Sequence, residues 1–227
     1  DKLVATPYNW TIIDLGAATP VAGLDFTINT NNTEVGSSNS YQYRLPLMST
    51  GTYSFTVNWG DGNSDTITTW NQTETTHTYA SSGTYSVSMS GTIDHISWVS
   101  QDGTSKINDN DRNKVLNISD WGSATVLIDG AFKLCSDLSG DLSNWGTVAS
   151  PITGSGIELY SQVQFSNANF NFVFQPTGIC NRSFQSTYIY NNPLNNWDMS
   201  GVTDINRMFF LSLVFNQDIS SWDVSSI

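Results

Sequence analysis

"NNPLNNWDMSGVTDINRMFFLSLVFNQDISSWDVSSI", residues 191–227, says one phrase twice. An aromatic, a leucine or isoleucine, a tryptophan and an aspartate follow in that order around Trp197 and again around Trp222. Working back from this pair, Trp121, Trp145, Trp197 and Trp222 keep a period of about 25 residues, inside the range of repeat arrays, with one double gap. Phe172 divides that gap into two near-equal steps, from Trp145 and to Trp197. Other apolar positions keep step. Phe132, Leu159, Phe184 and Phe209 lie thirteen residues before successive aromatics, and Leu138, Phe165, Tyr190 and Phe215 lie seven before. Ile118, Leu142, Leu194 and Ile219 lie three before, with Asn169 the one lapse.

A unit of this length cannot bury its own apolar face, so successive units must stack and share one core. The expectation is a short solenoid of four to five coils over 116–227. The alternating segments around "DISSWDV" suit strands; "VTDINRMFF" and "SATVLIDGAF" suit a short helical or irregular return arm. Ile227 falls where Val202 begins the next return arm, and no polar cap follows. The last coil's apolar edge is therefore expected to be covered, by further chain or by another subunit.

The wording of residues 191–227 resembles the BspA-type leucine-rich-like repeat of bacterial surface lipoproteins. That family's phrase runs approximately Trp-Asp-Val-Ser-x-Val-Thr-x-Met-x-x-Met-Phe…Phe-Asn-x-Asp-Ile-x-x-Trp, and Trp197 to Trp222 carry it almost in full. Earlier coils depart from it: Gly122 and Gly146 replace the aspartate, and "GTVASPITGSG" is a loop that the family lacks. The resemblance implies a surface-exposed array linked to adhesion.

Ahead of the repeat the period changes to two. "TYSFTVNWGDGN" puts Tyr53, Phe55, Val57 and Trp59 on one face, and "GTYSVSMSG" does so with Tyr85, Val87 and Met89, leaving Ser86, Ser88 and Ser90 outward. Short alternating strands punctuated by Gly and Asn turns predict a two-sheet sandwich over 22–98. Trp59, Gly60, Asp61 and Gly62, followed by His77, Tyr79, Gly83, Tyr85 and Val87, resemble the polycystic-kidney-disease (PKD) domain. The resemblance implies an immunoglobulin-like fold that serves as a spacer or adhesive module. Residues 1–21 form an extended segment whose "WTIIDL" is a strand without an assigned partner, free to join the sandwich or a neighbouring subunit's sheet edge. Residues 99–115 read as a linker.

Composition bounds the function. Eight Lys plus Arg against twenty Asp plus Glu give a net charge of −12, which disfavours phosphate backbones and anionic lipid. Only 12 % of residues are charged, and Ser, Thr, Asn and Gly supply the remaining polarity. This suits an extracellular, cell-surface or virion-surface protein. No apolar run approaches the roughly 18 residues of a membrane span. The chain starts at Asp1 without a basic, apolar leader, as though a leader were removed or the sequence were part of a longer one. Cys135 and Cys180 read as two buried free thiols. Sequons at Asn9, Asn31, Asn71, Asn117 and Asn181 are glycan acceptors in a eukaryotic secretory host.

Neither His77 nor His95 belongs to a nucleophile arrangement, and there is no nucleophile elbow, P-loop or dinucleotide glycine motif. The reading is non-enzymatic. Candidate binding residues flank the coil aromatics: Asn144, Asn171, Asn196 and Ser221 before them, Asp198 and Asp223 after. On strands these point away from the buried ring and form polar columns for a glycan or protein partner, or for copies of the same chain. The plainer alternative is a solvated face on which Asn and Ser stack between coils. Asp61 with Asp65, and Asp109 with Asp111 in the junction "INDNDRN", offer hard oxygen ligands for a structural Ca²⁺. Against this, Asp61 equally caps its own turn, and the junction equally serves as a solvated acidic linker. No other cofactor is expected.

Overall fold

A computed structural model describes residues 23–98, 111–122, 126–127, 129–138, 152–154, 156–162 and 171–227. The expected N-terminal segment and most of the linker lie outside these residues. The described chain is mainly β, with short 3₁₀ turns at Thr73–Thr75 and Arg112–Lys114 as its only helical pieces. Its largest sheet is antiparallel, and no sheet among the described residues closes into a barrel.

Seven strands build the first part: β1 (Leu24–Asn29), β2 (Gln42–Arg44), β3 (Tyr53–Asn58), β4 (Ser64–Ile67), β5 (Thr76–Thr78), β6 (Thr84–Ile93) and β7 (Val115–Asp120). Five form an antiparallel sheet in the order β4-β3-β6-β1-β7; β2 and β5 pair separately. The period-two pattern holds: Tyr53, Phe55, Val57 and Trp59 are buried, as are Val87 and Met89, while Ser90 is exposed. The Trp-Gly-Asp-Gly turn needs its first glycine. Gly60 has φ +82°, and a Cβ there would sit 2.3 Å from Ser86 O. Strand β7 spans the boundary at 115–116 expected between linker and solenoid. It lies along β1 (Phe26 opposite Ile118, Thr27 opposite Asn117), so the residues that open the repeat in sequence close the first sheet in space.

Five short strands follow: β8 (Val126–Leu127), β9 (Ile152–Gly154), β10 (Phe174–Pro176), β11 (Gly178–Ile179) and β12 (Val202–Asp204). They pair in parallel, β8-β9-β10 in one sheet and β11-β12 in another. Three expectations are corrected here. Strands fall on "VL" at 126–127 and on "VTD" within the expected return arms, whereas "DISSWDV" is turns and extended chain. The expected loop "GTVASPITGSG" contains β9, the middle strand of its sheet. In the column of Phe132, Phe184 and Phe209 it is Tyr160, not Leu159, that stacks between the rings: Phe132 to Tyr160 is 5.4 Å and Tyr160 to Phe184 is 5.3 Å between centroids. Both Leu159 and Tyr160 are fully buried. The step along the chain from Phe132 to Tyr160 is longer than those from Tyr160 to Phe184 and from Phe184 to Phe209. The longer coil displaces the ring by one position.

Backbone hydrogen bonds join the coils beyond the strands. Gly156, Glu158, Tyr160 and Gln162 donate to the carbonyls of Ile179, Asn181, Ser183 and Gln185. Gly178, Cys180, Arg182, Phe184 and Ser186 donate in turn to Gly201, Asp204, Asn206, Met208 and Phe210. Amides point toward the C-terminal coil and carbonyls back. Two left-handed residues per coil produce this one-way arrangement, four positions apart: Gly130 and Leu134, Glu158 and Gln162, Arg182 and Ser186, Arg207 and Leu211, with φ between 51° and 68°. Such a conformation costs a side-chain-bearing residue on the order of 1 kcal/mol, offset here by a ladder bond at nearly every second residue.

Candidate functional site

The aromatic that anchors each coil fixes which way its neighbours face. Phe172, Trp197 and Trp222 are 0 %, 3 % and 7 % exposed, whereas Asn196, Asp198, Ser221 and Asp223 beside them are exposed and Asn171 is half-buried. Asn196, Asp198, Ser221 and Asp223 thus face solvent, and Asn171 does so in part. Asn144 and Asp109 lie outside the described residues.

What the columns do differs by row. Asn171 is spent between coils: its Oδ1 accepts from Asn196 N at 2.9 Å, its carbonyl accepts from Asn196 Nδ2 at 3.0 Å, and its Nδ2 donates to Asn195 Oδ1 at 2.9 Å. The same device recurs at Asn191, whose Oδ1 accepts from Asn216 N at 2.7 Å and Gln217 Nε2 at 3.2 Å. Asn171 and Asn196 thus serve the stacking alternative. Asp198 and Asp223 close turns by accepting from the amides of Ser200 and Ser225. Hydrogen bonds from those serines hold both carboxyls below their ordinary range, and Asp223 opposes the effect at Asp198.

Ser221 belongs to a different arrangement. With Pro193, Asn195, Gln217 and Asp218 it lines an open hollow of about 320 Å³ between the last two coils. The hollow offers amide donors and acceptors, a hydroxyl and one carboxylate that hydrogen bonding from Ser220 keeps ionised. Those groups can engage paired hydroxyls or a peptide edge, and the proline ring gives an apolar rest. Sequence reasoning found only Ser221. The others sit two to five positions before the tryptophans, outside the columns that the alternation marked, and their meeting depends on how one coil sits over the next.

The expected Ca²⁺ ligands are engaged by the protein itself. Asp61 accepts from Asn63 N and Nδ2 and lies 2.8 Å from His77 Nε2; burial nudges its carboxyl up, but the bonds from His77 and Asn63 outweigh this and lower it. His77 stacks on Trp59, 4.8 Å between ring centres. Asp65 accepts from Trp59 Nε1 at 2.7 Å. Asp111, which the sequence places in a solvated or metal-bound junction, is 1 % exposed. It accepts from Ser38 N, Ser38 Oγ and Arg44 N, and the cation it faces is Lys114 Nζ at 3.3 Å. That ammonium, itself fully buried, also donates to Ser38 O, Ser38 Oγ, Asn39 O and Gln42 O at 2.7–2.9 Å. No three His, Cys, Asp or Glu side chains cluster as a metal site among the described residues.

Residues 161–227, the last coils and the hollow between them, match a family described as a Mycoplasma protein of unknown function (DUF285). No curated protein and no solved structure matches the chain.

Proposed function

We propose that the chain is a non-catalytic recognition protein of a cell or virion surface. In this reading a PKD-like immunoglobulin-type sandwich carries a BspA-type repeat solenoid, whose polar flank binds a surface glycan or protein. The single observation behind it is the hollow of Pro193, Asn195, Gln217, Asp218 and Ser221, on the segment that the family match covers. Its amides, its hydroxyl and its single carboxylate are hydrogen-bonding groups, which suits binding. The net charge of −12 argues against nucleic acid and anionic lipid as the bound surface.

The test is binding of the intact chain to a glycan array and to intact cells, compared with a triple variant Asn195→Ala, Gln217→Ala, Ser221→Ala. The expected result is binding that the triple variant weakens at least about tenfold, the equivalent of about 1.4 kcal/mol. Wild-type binding that the variant leaves unchanged would move the site elsewhere. A chain that binds no glycan, cell or protein would overturn the reading.

A second reading is favoured by Tyr188, Ile189, Leu213 and Val214, which are 41 %, 47 %, 72 % and 45 % exposed on neighbouring coils. An apolar flank of this kind suits a subunit that packs against copies of itself in a filament or capsid decoration. Concentration-dependent assembly into ordered polymers, without surface binding, would decide for it.

A further inference from the structure

The five strands of the largest sheet, β1, β3, β4, β6 and β7, hold no Lys, Arg or Glu, and their charges are Asp25, Asp65 and Asp120. Two of these are engaged by the protein: Asp65 accepts from Trp59 Nε1 at 2.7 Å and Asp120 from Gly122 N at 3.0 Å. Asp25 is not. Its side chain is half-buried, yet no hydrogen bond and no cation reaches the carboxylate among the described residues. The other half-buried carboxylates, on Glu34, Asp65, Asp94, Asp120, Glu158 and Asp204, each have a partner. Burial first, and Asp120 second, raise the Asp25 pKa. A charge drawn out of water is ordinarily paired or hydrogen-bonded, so a bare one in a concave place points to a ligand.

The place is concave. Strand register sets Ser64, Asn58, Ser88 and Asp25 in one row across the outer face, with Ser86, Thr27 and Asn117 in the next. Along these rows lies an open depression of about 260 Å³, lined by Asp25, Thr27, Asn58, Ser86, Ser88 and Ser119. Two strand spacings of about 4.8 Å separate Asn58 from Asp25, with Ser88 between them. Most of the polar groups here are unspent. The hydroxyls of Thr27, Ser86 and Ser88 meet no protein partner among the described residues. Asn58 uses its Oδ1 to accept from Gly60 N at 3.0 Å and keeps its Nδ2. Ser119 alone is engaged, its Oγ donating to Asp25 O at 3.2 Å.

We propose that this depression binds one amino-sugar unit of a glycan, with its ammonium on Asp25 and its hydroxyls on Asn58, Ser86 and Ser88. Charge complementarity selects the ammonium: a bare carboxylate, with Asp120 close by and no cation on the five strands, takes a charged donor and repels an anion. The neighbours select the rest. Hydroxyls that both donate and accept, beside one amide donor, match a ring of hydroxyls. The paired rows are polar throughout and give an apolar ligand or an aromatic protein anchor nothing to rest on. The volume lies just under that of pockets for drug-sized ligands, roughly 300 Å³ and above, which suits a single sugar unit.

This site is separate from the hollow between the last coils and does not rest on it. The experiment is an NMR titration of the intact chain with a glucosamine trimer, with the N-acetylglucosamine trimer and trilysine as comparisons. Amide shifts are expected at residues 25–27, 58, 86–88 and 119. Acetylation, which removes the ammonium, should weaken binding at least about tenfold, and Asp25→Asn should do the same. That variant replaces a partly desolvated carboxylate by an amide of the same shape, so its thermal midpoint should not fall. Ser88→Val fills the middle of the row while leaving Asp25 in place, and should weaken the trimer at least about tenfold as well. Binding that survives either substitution overturns the proposal, as does a chain that shows no shifts. Trilysine binding as tightly as the trimer would reduce the site to charge alone and overturn the sugar assignment. Shifts confined to 193–195 and 217–221, abolished by the triple variant of the hollow, would overturn this site and leave the recognition reading standing.

Discussion

Trp98 stacks on Phe132 with ring centres 5.0 Å apart and planes 24° apart, and its backbone amide donates to the carbonyl next door, Ala131 O. The indole is also held from the side of strands β1 and β2, where its Nε1 donates to Tyr43 Oη at 3.0 Å and Phe26 meets it edge-on at 6.2 Å. One residue of the first part therefore takes the place of a preceding coil. From it a column of rings runs through Phe132, Tyr160 and Phe184 to Phe209.

Replacing Trp98 with Ala should cost about 3–5 kcal/mol, the range for a buried aromatic truncated in a packed core. It also frees Tyr43 Oη of its donor. Urea unfolding followed by fluorescence would show the loss. Amide exchange should rise first at residues 130–134, where the cap is removed. A loss below about 1 kcal/mol would mean that the first coil does not lean on this ring.

The buried pair Lys114 and Asp111 behaves as a plug of opposite charges in the loop 38–44. Lys114→Met leaves the Asp111 carboxylate buried without its cation and should cost about 3–5 kcal/mol in denaturant unfolding. The double variant Lys114→Met, Asp111→Asn should recover part of that loss, because no uncompensated charge then remains. Chelation by EDTA should leave the thermal midpoint unchanged, since the ammonium and backbone amides already use the oxygens that a Ca²⁺ ion would take.

Acid should destabilise the fold in the carboxylate range. Asp61 and Asp198 have folded pKa values below their ordinary 3.8. A depressed carboxyl stabilises the folded state above its unfolded pKa, and that contribution is lost as pH falls through the folded value. The denaturation midpoint should therefore be flat above about pH 5 and decline below about pH 4. Asp25 opposes this, because burial first and Asp120 second raise its pKa, so its protonation favours the folded state. Asp61→Asn should make the acid limb shallower; an unchanged limb would show that the pair with His77 is without weight.

The thiols of Cys135 and Cys180 should resist modification in the native protein. Burial pushes the Cys135 thiol up, and that of Cys180 up to about 12, so neither supplies thiolate at neutral pH. A thiol-exchange reagent should titrate none in buffer and both in urea. Gly156 guards this packing: a Cβ there would lie 2.5 Å from Cys180 Sγ, so Gly156→Ala should cost about 1–3 kcal/mol and expose the thiol.

The sequence by itself determined the periods, two before residue 98 and about 25 after 116, and with them many of the buried rings and aliphatic groups, among them Phe132, Leu138, Phe184, Tyr190 and Leu194. Burial follows side-chain chemistry and spacing, which can be read along a line. It also marked Asn171, Asn196, Asp198, Ser221 and Asp223 as outward-facing, because neighbours of a buried ring on extended chain face the other way. The left-handed residues carry no such signal. Of the eight, only Gly130 is a glycine; Leu134, Glu158, Gln162, Arg182, Ser186, Arg207 and Leu211 adopt that backbone because the ladder between coils requires it. Tertiary structure alone decided which polar residues are spent and which are available. Asn171 and Asn191 bond to the coil that follows, and Asp111 is drawn into a buried knot by a lysine and a loop more than sixty residues upstream. Those partners meet through stacking across coils and sheets, a distance that local periodicity does not encode.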